Sequence, residues 1–399
     1  MLYAALGFKG EYPASFLNML MLGNGMGVMS NKERDTNIEL LRILCMLGII
    51  AHHAVIHGGG LDSLWSGKAA LACLVLPAGK IGFTCFLAIS MWFLSQGQFH
   101  ANRFARTWLE VLFYTVGMTI VAALLGTPVS LSLWIGSFLP IGGISHGFAA
   151  AYLAAYLLLP VLSRVANRIS RIQSLWLIGI LGYCQIIETA LGFFGVAVLA
   201  LHPFASEIIL FVWFFFAMNH IRRWHSKWAS KKSLLFAVVL MAWGVVTLSA
   251  AIPLIYPGTE AAYIASVIGA LNPGENGVIN IIGGIALFLF ARQIGVPNIR
   301  IINRVATFTF GVLLFHDHNV CRECFWSQIV PFGGMAAIWE LPGVDAAIGL
   351  LLVTIGIFAA GSIIDYVRQG IEKRIVLSRR FKSACVAIDS VWDDSSKDR

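Results

Sequence analysis

The stretch Arg34-Asp-Thr-Asn-Ile-Glu-Leu-Leu-Arg42-Ile-Leu-Cys-Met-Leu-Gly-Ile-Ile-Ala-His-His53 begins with charge and then turns apolar without a break. As a helix over 37–57, at about 1.5 Å per residue, it reaches across a hydrocarbon core roughly 30 Å thick. Comparable runs recur near 70–95, 104–126, 146–165, 173–193, 203–221, 233–255, 276–294, 305–320 and 343–366. Backbone polar groups in lipid must be satisfied within their own segment, which makes such runs helices. A transmembrane barrel would show alternating segments of about ten residues instead, and the sequence has none. Of all residues 58% are hydrophobic and 12% charged, with a mean hydropathy of +0.80. A soluble domain carries about 25% charged residues. The expected fold is all-α: a polytopic integral membrane protein of about ten transmembrane helices, partnered by membrane lipid.

The formal net charge of +8 is distributed in a way that argues against nucleic acid as a partner. Basic residues cluster in every second connecting segment: Lys32 and Arg34 before the first run, Arg103 and Arg106 after the second, Arg164, Arg168 and Arg171 after the fourth. Arg222, Arg223, Lys227, Lys231 and Lys232 follow the sixth, Arg292, Arg300 and Arg304 the eighth, and a basic group from Arg368 to Lys382 the tenth. The alternate segments hold only Lys68 and Arg322. By the positive-inside rule both termini are expected in the cytoplasm. Residues 1–33 read as an N-terminal extension, disordered or preceding a later start at Met29. Residues 34–375 form the transmembrane domain, and 376–399 a cytoplasmic tail that reads as disordered beyond about 380. Seven cysteines include the pair Cys321-x-x-Cys324, which lacks the second pair that a zinc site needs. Two unlinked cysteines on one helical turn are expected there.

Chemistry concentrates in the opening stretch. Arg42 and His53 are eleven residues apart, about three helical turns, so both face one side roughly 16 Å apart along the axis. Glu39, one turn before Arg42, can orient it. A guanidinium at a membrane boundary can bind phosphate, and an imidazole can accept a proton from a hydroxyl near neutral pH. A boundary arginine and a packed core histidine would explain the same two residues. The shared face and the adjacent His52 favour function.

These residues resemble the first helix of the acyltransferase 3 family, integral membrane enzymes that acylate sugars on surface glycans, polysaccharides and antibiotics. Arg42, ten residues, then His53 fits that family's Arg/His spacing, and Arg103-Phe-Ala-Arg106 is similar to its Arg-x-x-Arg at the third span. Gly82-Phe83, Ser90-Met-Trp-Phe93, Ala151-Tyr-Leu-Ala-Ala-Tyr-Leu-Leu-Leu-Pro160 and Phe310-Gly-Val-Leu-Leu-Phe-His-Asp-His318 follow in the family's order. The chain departs from the pattern at His146-Gly147-Phe148 and at His316-Asp317-His318-Asn319, both of which bear on the acceptor.

The resemblance implies an O-acyltransferase in the plasma membrane. Acyl-CoA, most simply acetyl-CoA, would be a co-substrate rather than a resident cofactor, and a carbohydrate hydroxyl the acceptor. His53 would be the catalytic base or nucleophile, with His52, His316 and Asp317 as further catalytic candidates, and Arg42, Arg103 and Arg106 would bind the acyl-CoA phosphates. Glu110 is expected to pair with Arg106, while Lys80, Glu188, Glu207 and Asp365 read as structural partners. A transporter or glycan flippase is the alternative, in which membrane charges line a substrate path. The missing internal repeat and the one-sided basic clusters speak against it.

Overall fold

The structure, a computed structural model, describes residues 35–60, 69–141, 147–187, 207–224, 226–272, 274–329 and 336–394. The long helices are α1 (Thr36–His57), α2 (Ala69–Leu94), α3 (Ala101–Leu124), α4 (Gly147–Leu157), α5 (Leu159–Arg168), α6 (Arg171–Gly182), α7 (Glu207–Trp224), α8 (Lys232–Ile255), α9 (Glu260–Ala270), α10 (Val278–Ala291), α11 (Thr309–His316), α12 (Gly343–Val376) and α13 (Arg379–Asp394). No strand occurs among the described residues.

Where they are described, the expected runs lie largely on helix. Five helices, α1, α2, α3, α8 and α12, are long and apolar enough to cross a membrane, and α4 with α5 makes a sixth if their 61° bend lies within one span. The others are too short or too charged for identifiable reasons. α7 carries Glu207, Arg222 and Arg223 within its 18 residues. α10 is shortened to 14 residues by the polar stretch before it. The expected run 305–320 breaks into Arg300–Val305, a 3-10 turn at Ala306–Phe308, and α11. The fifth run continues from α6 into a π turn at Tyr183–Ile187, and its remainder lies outside the described residues. So do the N-terminal extension and Glu188.

The tail departs from expectation. Residues 379–394 are helical in α13 rather than disordered, and Asp389 Oδ1 accepts the Ala101 N–H at 2.7 Å. That carboxylate satisfies one open donor at the start of α3, where the helix dipole also favours an anion.

Small residues let the central helices meet at backbone distance. α1 packs along α2, and α2 along α10. A Cβ at Gly79 of α2 would lie 2.2 Å from His52 Cγ, so the ring of His52 occupies the space that this glycine leaves. Across the other face of α2, a Cβ at Gly284 would sit 2.1 Å from Thr84 Oγ1 and 2.6 Å from the Cys85 backbone nitrogen. Thr84 Oγ1 donates to the Asn280 carbonyl at 2.7 Å across this contact. Dispersion and such hydrogen bonds hold helices together where no hydrophobic drive exists between them. The start of α1 is pinned by Asn37 Nδ2 donating to the Ala291 carbonyl (3.0 Å) and by Thr36 donating to Asn303 (3.0 Å). Its end is pinned by Trp339 Nε1 donating to the Gly58 carbonyl (2.9 Å). α8 and α12 instead expose leucine, isoleucine and methionine outward, as helices in contact with lipid do.

The α2–α10 contact should fail on overpacking. Gly284→Val is expected to lower stability by about 1–3 kcal/mol, read as an earlier thermal transition of the detergent-purified protein. Gly244→Val on α8, where a Cβ meets nothing within 4 Å, should leave the transition in place.

Candidate active site

His53 stands on the penultimate turn of α1. Its Nδ1 lies 3.1 Å from Nε2 of His316, the last residue of α11. The far nitrogen of His316, Nδ1, is 2.6 Å from the Val312 carbonyl. A carbonyl only accepts, so His316 donates from Nδ1 and, as a neutral ring, offers Nε2 as an acceptor. His53 therefore donates from Nδ1, and its own Nε2 keeps a lone pair. A backbone carbonyl thus sets two tautomers in series, the hydrogen-bond logic that decides which imidazole nitrogen is basic.

Asp317 Oδ1 stands 3.8 Å from His53 Nδ1 and is held by Arg322, whose Nε donates to it at 2.8 Å. The same guanidinium donates to Asn319 Oδ1 at 2.9 Å. A carboxylate held at this point favours the imidazolium that forms when Nε2 takes a proton.

The His53 ring opens into a cavity of about 380 Å³. Its polar wall includes His52, His53, His57, Lys80, Glu207, Asp317, Asn319 and Arg322, and its apolar wall includes Ile49, Phe83, Phe148 and Leu313. The side chain of His53 is 12% exposed, so it neither points into lipid nor is sealed in packing. His52, its neighbour, is different. Its Nδ1 donates to the Leu76 carbonyl at 2.8 Å and its ring is wedged against Gly79. That geometry makes His52 a packing element between α1 and α2 whose ring also borders the cavity.

Arg42 sits near the opposite end of α1, 3.9 Å from Glu39 and with its guanidinium 5.7 Å from the Phe86 ring. Arg103, at the start of α3, is exposed and lies 5.8 Å from the Tyr156 ring. Aromatic contacts lead from both arginines to the cavity. Phe86 meets Phe148 at 6.4 Å between ring centroids, and Phe148 meets Phe83 at 5.1 Å. From Arg103 the series runs Tyr156, Tyr152 (6.4 Å), Phe310 (6.3 Å) and Phe148 (6.4 Å). Phe83 and Phe148 themselves line the cavity.

Arg106 is tied elsewhere. Its Nε donates to Glu372 Oε1 at 2.5 Å. Glu110 does not pair with it, as the sequence suggested, but with Arg368 at 3.2 Å. Arg368 also binds Asp365 at 2.6 Å and Glu372, and Tyr114 donates its hydroxyl to Asp365 Oδ1 at 3.1 Å. Asp365 is the structural partner expected of it. The arginine that organises it was read only as a topology signal, because Arg368 lies five residues before the basic pair Lys373-Arg374 and shows no motif of its own.

Three parts of the site were not read from sequence. Lys80 and Glu207 line the cavity rather than serving only as structural counter-ions. Arg322, read only as one of two basic residues in the basic-poor segments, clamps Asp317. Lys80 did leave a signal, standing twelfth in an otherwise uncharged helix of 26 residues. The thiols of Cys321 and Cys324, which flank Arg322 and Glu323, are free and buried with their Sγ atoms 3.1 Å apart. His146, one of the departures from the family pattern, lies outside the described residues.

The tautomer relay can be tested without any substrate. Replacing His316 by Ala removes the acceptor of the His53 Nδ1 proton. Nitrogen-15 spectra of histidine-labelled protein in lipid should then show the His53 ring losing its Nδ1–H form. An unchanged spectrum would mean that His316 does not set the tautomer.

Comparison with curated proteins and with solved structures finds no match. The family model described as an acyltransferase domain, of the acyltransferase 3 type, matches residues 35–365, which contain α1 to α11, most of α12 and every residue of the cavity. The chain belongs to the acyltransferase 3 family.

Proposed function

We propose that this protein is a multi-pass O-acyltransferase of the plasma membrane, crossing it ten times with both termini in the cytoplasm. It would move an acyl group, most simply acetyl, from cytoplasmic acyl-CoA to a hydroxyl of a surface glycan or lipid-linked sugar. The observation that carries this reading is the His53 ring, with Nδ1 committed to His316 and Nε2 left basic, on the wall of a cavity large enough for a sugar ring.

In this reading Arg42 and Arg103 bind the acyl-CoA phosphates, assisted by Arg106 from its anchor on Glu372. Guanidinium groups suit phosphate because they present paired donors and keep their charge. The thioester arm follows the aromatic walls between Phe86, Phe310 and Phe148 to the cavity. The acceptor hydroxyl gives its proton to His53 Nε2 as its oxygen attacks the thioester carbonyl carbon. The tetrahedral intermediate collapses, the C–S bond breaks, and the proton passes from His53 to the departing sulfur. Asp317, steadied by Arg322, offsets the imidazolium between these two proton transfers. A positioned base of this kind accounts for about 10²–10⁴ in rate.

Membranes supplied with radiolabelled acetyl-CoA and a glycan acceptor test the assignment. His53→Ala is expected to reduce label transfer by about 10²–10⁴-fold. Transfer equal to wild type would remove His53 from the chemistry. Arg103→Ala should raise the acetyl-CoA concentration needed for half-maximal transfer and leave the maximal rate close to wild type, as loss of uniform binding does.

A further inference from the structure

The cavity contains more charge than a base and its carboxylate require. Lys80 is the twelfth residue of α2, near the middle of a 26-residue apolar helix, and its side chain is on the cavity wall with His53. An ammonium at this depth is costly unless it serves a partner or a substrate. The Lys80 Nζ is 3.9 Å from where a Cβ on Gly274 would stand. The second cation of the wall, Arg322, is already bound to Asp317 and Asn319 on the side of the base. Glu207 reaches the same cavity at the start of α7, where its carboxylate fits only because residue 147 is glycine: a Cβ there would stand 2.3 Å from Oε2.

We propose that Lys80 is a further catalytic residue, supplying the positive charge that offsets the oxyanion of the tetrahedral intermediate. The inference rests on the acyltransferase reading above. When the acceptor oxygen bonds to the thioester carbon, the carbonyl π pair moves onto the carbonyl oxygen, and the proton released resides on His53. Positive charge is then needed at that oxygen, and Lys80 lines the same cavity as the base. When the intermediate collapses, the pair returns to the C=O bond and the sulfur leaves with the C–S pair. A fixed charge aimed at developing negative charge in a water-poor site is among the largest single contributions to catalysis.

The test measures kcat and KM for acetyl-CoA in purified protein reconstituted with a glycan acceptor. Lys80→Met should lower kcat by about 10²–10³-fold with KM for acetyl-CoA unchanged, and Lys80→Arg should recover part of the loss. Lys80→Gln carries the same expectation if Lys80→Met does not survive extraction as a monodisperse species. The double variant Lys80→Met/Glu207→Gln separates this role from a merely structural one. If Lys80 only balances Glu207, removing both charges restores activity and the proposal is overturned. If Lys80 acts on the oxyanion, the double variant stays as slow as Lys80→Met. An active wild type with an equally active Lys80→Met overturns this inference alone, whereas a wild type that transfers nothing overturns the acyltransferase reading and this inference with it.

Discussion

An apolar helix in lipid cannot hide a charge without giving it a partner, because no water is at hand to solvate it. The ionisable groups within this helical domain follow that constraint in two distinct ways. Between α3 and α12 they pair with one another: Arg368 gathers Glu110, Asp365 and Glu372, and Glu372 in turn holds Arg106. Around α1, α2 and α11 they surround a hollow instead, where His53, Lys80, Glu207 and Asp317 face common space. The first arrangement resembles a cross-brace, whose loss of one member leaves buried charge uncompensated. The second has the character of a site.

The route between them depends on how closely the backbones approach. Gly79 admits the ring of His52, which brings α1 against α2 and turns the next residue, His53, toward α11. Gly147 admits the carboxylate of Glu207 to the same hollow. Large side chains at either position would separate the helices and disperse the polar groups among apolar neighbours. Aromatic rings fill the remaining space between the arginines and the cavity, giving the walls an apolar surface that suits a thioester arm and disfavours free water. In the proposed reaction a hydrolysis-prone acyl donor would benefit from such exclusion.

Asp317 shows how a surface turn is recruited into this centre. It lies just past the end of α11, where a polar residue needs no special explanation. Arg322, five residues on, fixes its carboxylate within 3.8 Å of the His53 ring. The pair binds a loop to a helix end, so the position of the carboxylate beside His53 is set by a contact outside the regular structure.

Several features of this protein were present in the chain as written. Long apolar runs determine that it is helical and membrane-embedded, because lipid allows the backbone no other solution over such lengths. The eleven-residue interval between Arg42 and His53 determines that both face one side of one helix, since helical periodicity is local. The helical tail was not legible, because α13 gains part of its order from a contact between Asp389 and α3, far away in sequence. Nor was the pairing of Glu110 with Arg368 rather than with its near neighbour Arg106, nor the transfer of Lys80 and Glu207 from counter-ions to cavity wall. Spacing along one helix cannot rank partners that arrive from another. Only the tertiary structure decided that His316, 263 residues from His53, accepts the Nδ1 proton and so determines which nitrogen is basic. A tautomer is chosen by whatever acceptor lies within about 3 Å, and that is a property of packing rather than of sequence order.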